Sequence, residues 1–474
     1  MTDNAISEKN LIPRELIPRT KALAINPLKA SQPLGATLAC LGFRQSIPLL
    51  HGSQGCSAFA KVFLVQHFRE PIPLQTTAMD QVSTVMGGDE NLFEALQTLC
   101  SKNSPALILV PTTGLTETQG SDVRRVIAQF RIDHPECAAT RIVSVNTPDF
   151  KGCLETGFAL AVEALIDELV PPSECAATRP EQLNLLVSAN LTPADIEQLK
   201  SYVEAFGFKP LVLPDISDSL GHLVEQDFSP LSVGGTPVSA FDQLGQSAAT
   251  LVVGRSLFKA AKILHQRTGV ESYRFEHLMG LEATDQLIDC LRRLSRKQVP
   301  DSIERQRNQL QDAMVDTHYQ LGLAPVAIAG DPEMLTAFSR WLTQMGAEVV
   351  VGVTPVASKS LAKVPCQLIK VGDLADLEAL AAEQGAELLI GNSHLADAAQ
   401  RLGVPVLSAG FPQHHHYGAH RRCWIGYAGS AQTLFDIANL RRHADQHAIP
   451  VYHAVLSQKC DQPTPRLTPT PTAH

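Results

Sequence analysis

Short apolar runs alternate along the chain with stretches where hydrophobic residues recur every three or four positions. One such unit occurs twice with nearly the same punctuation. The first copy opens on a buried-strand run, Leu185 to Val187. Thr192 then reads as an N-cap, Pro193 takes the first helical position, and Ile196, Leu199, Val203 and Phe206 form one stripe. Gly207 stops the helix and Leu211 to Leu213 start a strand. The second copy runs through strand Val326 to Ala329, cap Asp331, Pro332, and stripe Leu335, Phe338, Leu342 and Met345. It ends at Gly346 and strand Val349 to Val351. A cap oxygen accepts from free N–H groups, proline sacrifices no bond at the first turn, and glycine tolerates the left-handed stop. Apolar strands alternating with such helices predict βαβ units and parallel sheets covered on both faces.

A third unit comes earlier, with strand Ala106 to Val110, helix Asp122 to Phe130 and strand Ile142 to Val145. Further strands are expected at Thr250 to Val253, Gln367 to Val371, Leu388 to Ile390 and Val404 to Ser408. The expected fold class is α/β, with three Rossmann-like domains of parallel sheet at 20–180, 181–322 and 323–460. Pro171 to Pro180 reads as a linker, and the charged amphipathic run Ile303 to Leu321 as a helix bridging the last two domains. Residues 1–19 read as a tail, as does 461–474, a proline- and threonine-rich end with too little apolar surface to pack.

Length and composition narrow the class without changing this picture. At 474 residues the chain has room for about three domains of roughly 150 residues. Hydrophobic residues make up 44% and charged residues 18%, as in ordinary globular proteins. The net charge of −9 and the lack of any Lys/Arg-rich block argue against a nucleic acid or an anionic membrane as partner. The polar, proline-broken start is no signal peptide, and the expected location is cytoplasmic.

In sheets of this kind ligands collect beyond the carboxyl ends of the strands. The loops to watch are Thr112-Thr113-Gly114, Asn146 to Asp149, Ser188-Ala189-Asn190 and Gly391 to His394. None carries a glycine-rich phosphate cradle, so nucleotide binding is not supported. No Ser/His/Asp set and no paired carboxylates suggest hydrolysis.

Ten cysteines include no C-x-x-C pair, which disfavours zinc ribbons and dithiol redox centres, and in a reducing compartment most would be free thiols. One has a distinctive setting. In His51-Gly-Ser-Gln-Gly-Cys56 the thiol reads as held at the end of a turn, where Gly52 and Gly55 give the backbone room around it. The histidine-rich run Phe411 to His420 lacks a helical i, i+4 pair and reads as an exposed loop.

The block Asn26 to Leu96, from NPLKASQPLGATLACLGF through HGSQGCSAF to MGGDENLFEAL, resembles the β-type half of the nitrogenase component 1 family. The resemblance lies on the cofactor-assembly side of that family and continues through PTTGLTETQGSD (111–122), NTPDFKG (146–152) and RQRNQLQDAMVDTH (305–318). It implies the family's architecture of three α/β domains around metal clusters. In the catalytic β subunit three cysteines surround half of an eight-iron cluster. Laid on this chain, one falls at Cys56, while the other two positions hold Ser31 and Gly114. A hydroxyl is a poor substitute for thiolate, and glycine offers nothing.

With one thiolate here and four normally needed for a [4Fe–4S] cluster, the others must come from another polypeptide. Cys56 is thus the expected cofactor-binding and metal residue, at a subunit interface. Cys153 stands where the catalytic relatives carry a serine. It reads as a partly buried free thiol, with a near-cluster ligand as the second reading. Cys40 reads as core. His51 is expected in a structural role. Asp80, Asp89 and Glu90 are read as helix caps or as carboxylates of the family's subunit contact.

The resemblance implies a scaffold subunit for iron–molybdenum cofactor assembly, with no catalytic set of its own. Its implied partner is a NifE-like subunit in an α2β2 heterotetramer, which would hold most cluster ligands and the cofactor precursor. The nitrogenase iron protein and the molybdenum–iron protein would be the further partners. The alternative is the β subunit of a catalytic nitrogenase or of a protochlorophyllide reductase-type oxidoreductase. Ser31 and Gly114 disfavour the first, and the closeness of the Asn26 to Leu96 block to the nitrogen-fixation branch disfavours the second. A cluster-free binding module of repeated α/β units is a third reading.

Overall fold

The computed structural model of the chain describes residues 15–173, 175–221 and 229–448. Cys460 and the proline-rich end fall outside these. Three parallel sheets follow one another along the chain. Strand β1 (Glu15–Ile17) comes first, followed by β2 (Ser46–Leu50), β3 (Gln75–Thr76), β4 (Leu107–Pro111) and β5 (Arg141–Val145). The last four make a sheet of order β3-β2-β4-β5. Next come β6 (Arg179–Val187), β7 (Lys209–Leu213), β8 (Ser247–Val253) and β9 (Ser272–Phe275), in order β7-β6-β8-β9. The third sheet holds β10 (Pro325–Ala329), β11 (Glu348–Thr354), β12 (Leu368–Val371), β13 (Leu388–Gly391) and β14 (Val406–Ser408). Every strand pair within these sheets is parallel.

The repeated unit forms as its punctuation dictates. Thr192 closes a reciprocal capping box with Asp195 ahead of helix Pro193–Ala205, and its stripe is buried. Gly207 and Gly346 both take left-handed backbone, φ +86° and +84°, where each helix gives way to the next strand. Helix Pro332–Gln344 packs Leu335, Phe338 and Leu342 onto the third sheet. Stripe and strand share one period, so each helix covers the sheet it belongs to.

Two features depart from the expected outline. Residues 15–17, read as tail, form the edge strand of the third sheet, with Leu16 opposite Ile369. The strand is held by charge as well as by its ladder. Lys21 reaches Asp373 and Asp376 at 3.2 and 2.9 Å, and Lys370 meets Asp376 at 2.9 Å. Burial pushes the Asp376 carboxyl up, but the hydrogen bonds from Lys21 and Lys370 outweigh it and hold the pKa at about 2. At the other end, helix Gly426–Ala448 leaves the third sheet and returns to the second unit. Gly426 N–H donates to Leu278 O, and the Tyr427 hydroxyl donates to Asp285 at 2.5 Å. Buried Asp195 receives the N–H groups of Trp424 and Ile425 at 2.6 and 3.1 Å.

No helix among the described residues is long and apolar enough to cross a membrane. The nine described cysteines are free thiols. Cys40 is fully buried core, as expected.

Candidate functional site

Cys56 is not on a turn but in the first turn of a helix, Gln54–Phe68, that leaves the carboxyl end of β2. The glycines serve it differently from the expectation. Neither Gly52 nor Gly55 has positive φ. Gly52 is needed for close approach, since a Cβ there would sit 2.7 Å from Thr113 Oγ1 and 2.8 Å from its Cγ2. Gly55 faces open space apart from Ser53 Oγ at 3.9 Å. The Cys56 sulfur is half-buried and meets Ser53 Oγ at 3.5 Å.

His51 splints the loop beneath it, which makes its role structural. Its ring reaches the hydroxyls of Thr77 and Ser121 at 3.0 and 3.2 Å. Its carbonyl accepts from Thr113 and Thr116. Burial lowers the imidazole pKa to about 4, so the ring is neutral at neutral pH.

The other two positions from the resemblance lie at the same end of the first sheet. Ser31 precedes helix Gln32–Leu41, and its hydroxyl caps nothing. Gly114 begins helix Gly114–Gln119 after β4, and its N–H donates to Asp149 Oδ2 at 3.3 Å. Ser31, Cys56 and Asp149 line one cleft of about 350 Å3 with Lys29, Phe59 and His394. Its walls are largely apolar, and one thiol stands in it. No group of three or more His, Cys, Asp or Glu able to hold a metal ion occurs among the described residues. The donor set at the cleft fits an edge of a metal–sulfur cluster rather than a whole one, because a single thiolate cannot enclose four irons.

Cys153 takes no part in that lining. It is fully buried at the N-cap of helix Leu154–Leu169, where its N–H donates to Thr156 Oγ1 at 2.8 Å. Burial, then the charges of Asp331 and Glu155, push its thiol pKa well up. A thiol held protonated among carboxylates is a poor metal ligand.

Beneath the cleft the three units meet in a carboxylate cluster that the sequence did not announce. Asp331, read as the cap of its own helix, makes no such bond. Its Oδ2 instead accepts from Glu155 N–H at 3.2 Å, on the facing helix. Glu155 returns the bond, accepting from Glu333 N–H at 2.9 Å. Asn190, from the loop after β6, donates to both Glu155 and Glu333 at 3.3 and 3.2 Å, and Ser256 N–H donates to Glu333. Two helix N-termini are thus capped by each other's acids. Burial drives all three carboxyls up, Asp331 to about 6. The signal was present in the closely spaced Asp331 and Glu333, but only the facing helix gives it meaning.

The remaining candidates fall as follows. Asp80 caps helix Gln81–Met86 in a capping box with Ser83. Asp89 and Glu90 occupy the first turn of helix Asp89–Asn103, and Asp89 pairs with Arg125. The histidine run is only partly exposed, which corrects the expectation for it. His415 and His416 face solvent, whereas His420 is buried against Phe68 and His67, and half-buried His414 packs on His394.

The model of the nitrogenase component 1 type oxidoreductases matches residues 31–441. The chain belongs to the nitrogenase component 1 family. Among curated relatives, the nitrogenase iron-molybdenum cofactor biosynthesis protein NifN of Klebsiella pneumoniae is 46% identical over 428 residues, covering 90% of this chain and 93% of that one. The NifN of a Nostoc species is 44% identical over 426 residues, covering 90% and 95%. Among solved structures, "Nitrogenase Cp1 at pH 6.5" superposes with a TM-score of 0.86 at 29% identity, covering 93% of this chain and 97% of that one. The expected α/β architecture of nitrogenase component 1 is therefore the fold of this chain.

Proposed function

We propose that this chain is a scaffold subunit for iron–molybdenum cofactor assembly, the role its NifN relatives are named for. It contributes Cys56 to a [4Fe–4S] cluster shared with a NifE-like partner in an α2β2 heterotetramer. The observation that carries this is one thiol, Cys56, in a cleft that Ser31 also lines, with glycine at 114, the third position the resemblance gives. When bound, such a cluster supplies an electron relay. The chain's own residues anchor one corner of it, wall it from water and present a face to the partner.

Large apolar side chains around the cleft support the partner face. Phe59 in its lining is 70% exposed and neighbouring Phe150 is 63% exposed, more than an isolated subunit usually leaves uncovered at one place. The cofactor precursor belongs mainly to the partner. The nitrogenase iron protein supplies electrons and molybdenum, and the molybdenum–iron protein receives the product. Val82, Val85 and Met86, exposed on a short helix of the first unit, offer a further dry patch for docking.

Iron quantitation on the co-purified complex tests the reading. About four irons per interface cluster are expected, and about eight would make the chain a catalytic-type subunit instead.

A further inference from the structure

We propose that Lys29 sets the reduction potential of the cluster anchored by Cys56, as a fixed positive charge in the cleft wall and not as a ligand. The inference deepens the reading above and rests on it. Lys29 lies on the segment that crosses from the third sheet to the first, and its side chain lines the same cleft as Cys56. The ammonium is held in place, donating to the Asp149 carbonyl at 2.8 Å.

Two charged side chains act on this cation, the Asp149 carboxyl and the Arg19 guanidinium. Lys29 is half-buried, and desolvation lowers its pKa, with Arg19 adding to the lowering and Asp149 opposing it. A partly desolvated ammonium is a site that a further anion would stabilise. Burial pushes the Asp149 pKa up, while the Gly114 N–H bond to one of its oxygens and the Lys29 charge oppose the shift. His394, across the cleft, has its pKa lowered by burial and adds no positive charge at neutral pH. Cys153 is kept as a thiol by the carboxylates behind it. Among the residues lining the cleft with Cys56, Lys29 is the one Lys or Arg.

Iron–sulfur potentials respond to net charge, hydrogen bonding and exposure. A cluster held by thiolates is anionic, and reduction adds one electron with no bond made or broken. A fixed cation alongside favours the reduced state and raises the potential. Charge removal should lower it.

The test uses the heterotetramer purified with its partner, titrated with dithionite and followed by electron paramagnetic resonance. Lys29→Gln keeps a donor for the Asp149 carbonyl and discards the charge. Its iron content should match the wild type. At a fixed potential its ratio of reduced to oxidised cluster should fall about tenfold, equivalent to about 59 mV for one electron. Lys29→Arg should restore the wild-type midpoint. A wild-type midpoint in Lys29→Gln with full iron overturns the proposal. So does a loss of iron that Lys29→Arg does not repair, since Lys29 would then serve folding. If Cys56→Ser and wild type hold equal iron, the ligand assignment itself has failed, and that result is separate from any shift in midpoint.

Discussion

The cleft at Cys56 and the carboxylate cluster beneath it are built from neighbouring helix ends, yet one is incomplete and the other closed. In the cleft, Ser31 caps nothing, Cys56 rests on the core with Ser53 Oγ as its polar neighbour, and Phe59 stands in solvent. In the cluster, Glu155, Asp331 and Glu333 are satisfied by groups from all three units. A buried polar network is stable only when every member has its partner. An unfinished one at the surface is a place for something else to bind. The contrast teaches which part holds the chain together and which part waits for a partner.

The sharpest way to break the contrast is Cys56→Ser. Interface iron in the co-purified complex should fall to near zero by metal analysis, while the fold of this chain is kept. Cys56 is only half-buried where it rests on the core, and serine keeps nearly its shape, so unfolding in urea should shift by less than about 1 kcal/mol. Retained iron would show that another residue carries the ligand role.

Glu155→Ala attacks the closed region and should do the reverse. It strands Glu333 N–H, takes one of the two acceptors of Asn190 and leaves two buried acids without their bridge, at a cost of about 2–4 kcal/mol by chemical denaturation. Glu155→Gln separates charge from geometry. The cluster's folded pKa values lie above the ordinary carboxyl range, so its stability is full below about pH 4 and is lost as pH rises through about 6, the Asp331 value. Relative to wild type, Glu155→Gln should therefore gain stability from pH 4 to pH 7. A difference that shrinks with rising pH would show that the acids are stabilised as anions.

Gly52→Ala falls between the two regions. Its Cβ would press on buried Thr113, which also holds the His51 carbonyl, and the expected loss is about 1–3 kcal/mol. Thr113→Ala in the same chain should recover part of that loss, because the clash is with the threonine side chain.

Much of the fold was legible because each βαβ unit is local. Thr192, Pro193, the stripe to Phe206 and Gly207 each act within a few residues of themselves, and the structure follows them. What was hidden depends on distant partners. Strand Glu15–Ile17 is short, and its place is set by Leu368–Lys370 and by Lys21 reaching Asp376. No periodicity in the tail encodes that pairing. Asp331 looked like an ordinary cap, and the helix it serves is nearly two hundred residues earlier in the chain. At the cleft the resemblance singled out Cys56, Ser31 and Gly114, and the structure brings them to one end of one sheet. It could not single out Lys29, whose meaning comes from burial beside Asp149 and not from its neighbours in sequence.

The smallest expected effect is also the one that most sharpens the comparison. Ser31 stands where the resemblance implies a thiol in the catalytic subunit, and it lines the cleft with Cys56. Its hydroxyl makes no helix-capping bond, so Ser31→Ala removes an oxygen that the fold does not use. Stability should change by less than about 0.5 kcal/mol, and interface iron should equal the wild type. If iron fell with Ser31→Ala while the unfolding curve stayed put, the serine oxygen would be a ligand. The cleft would then supply two donors, and the partner would need to supply only two.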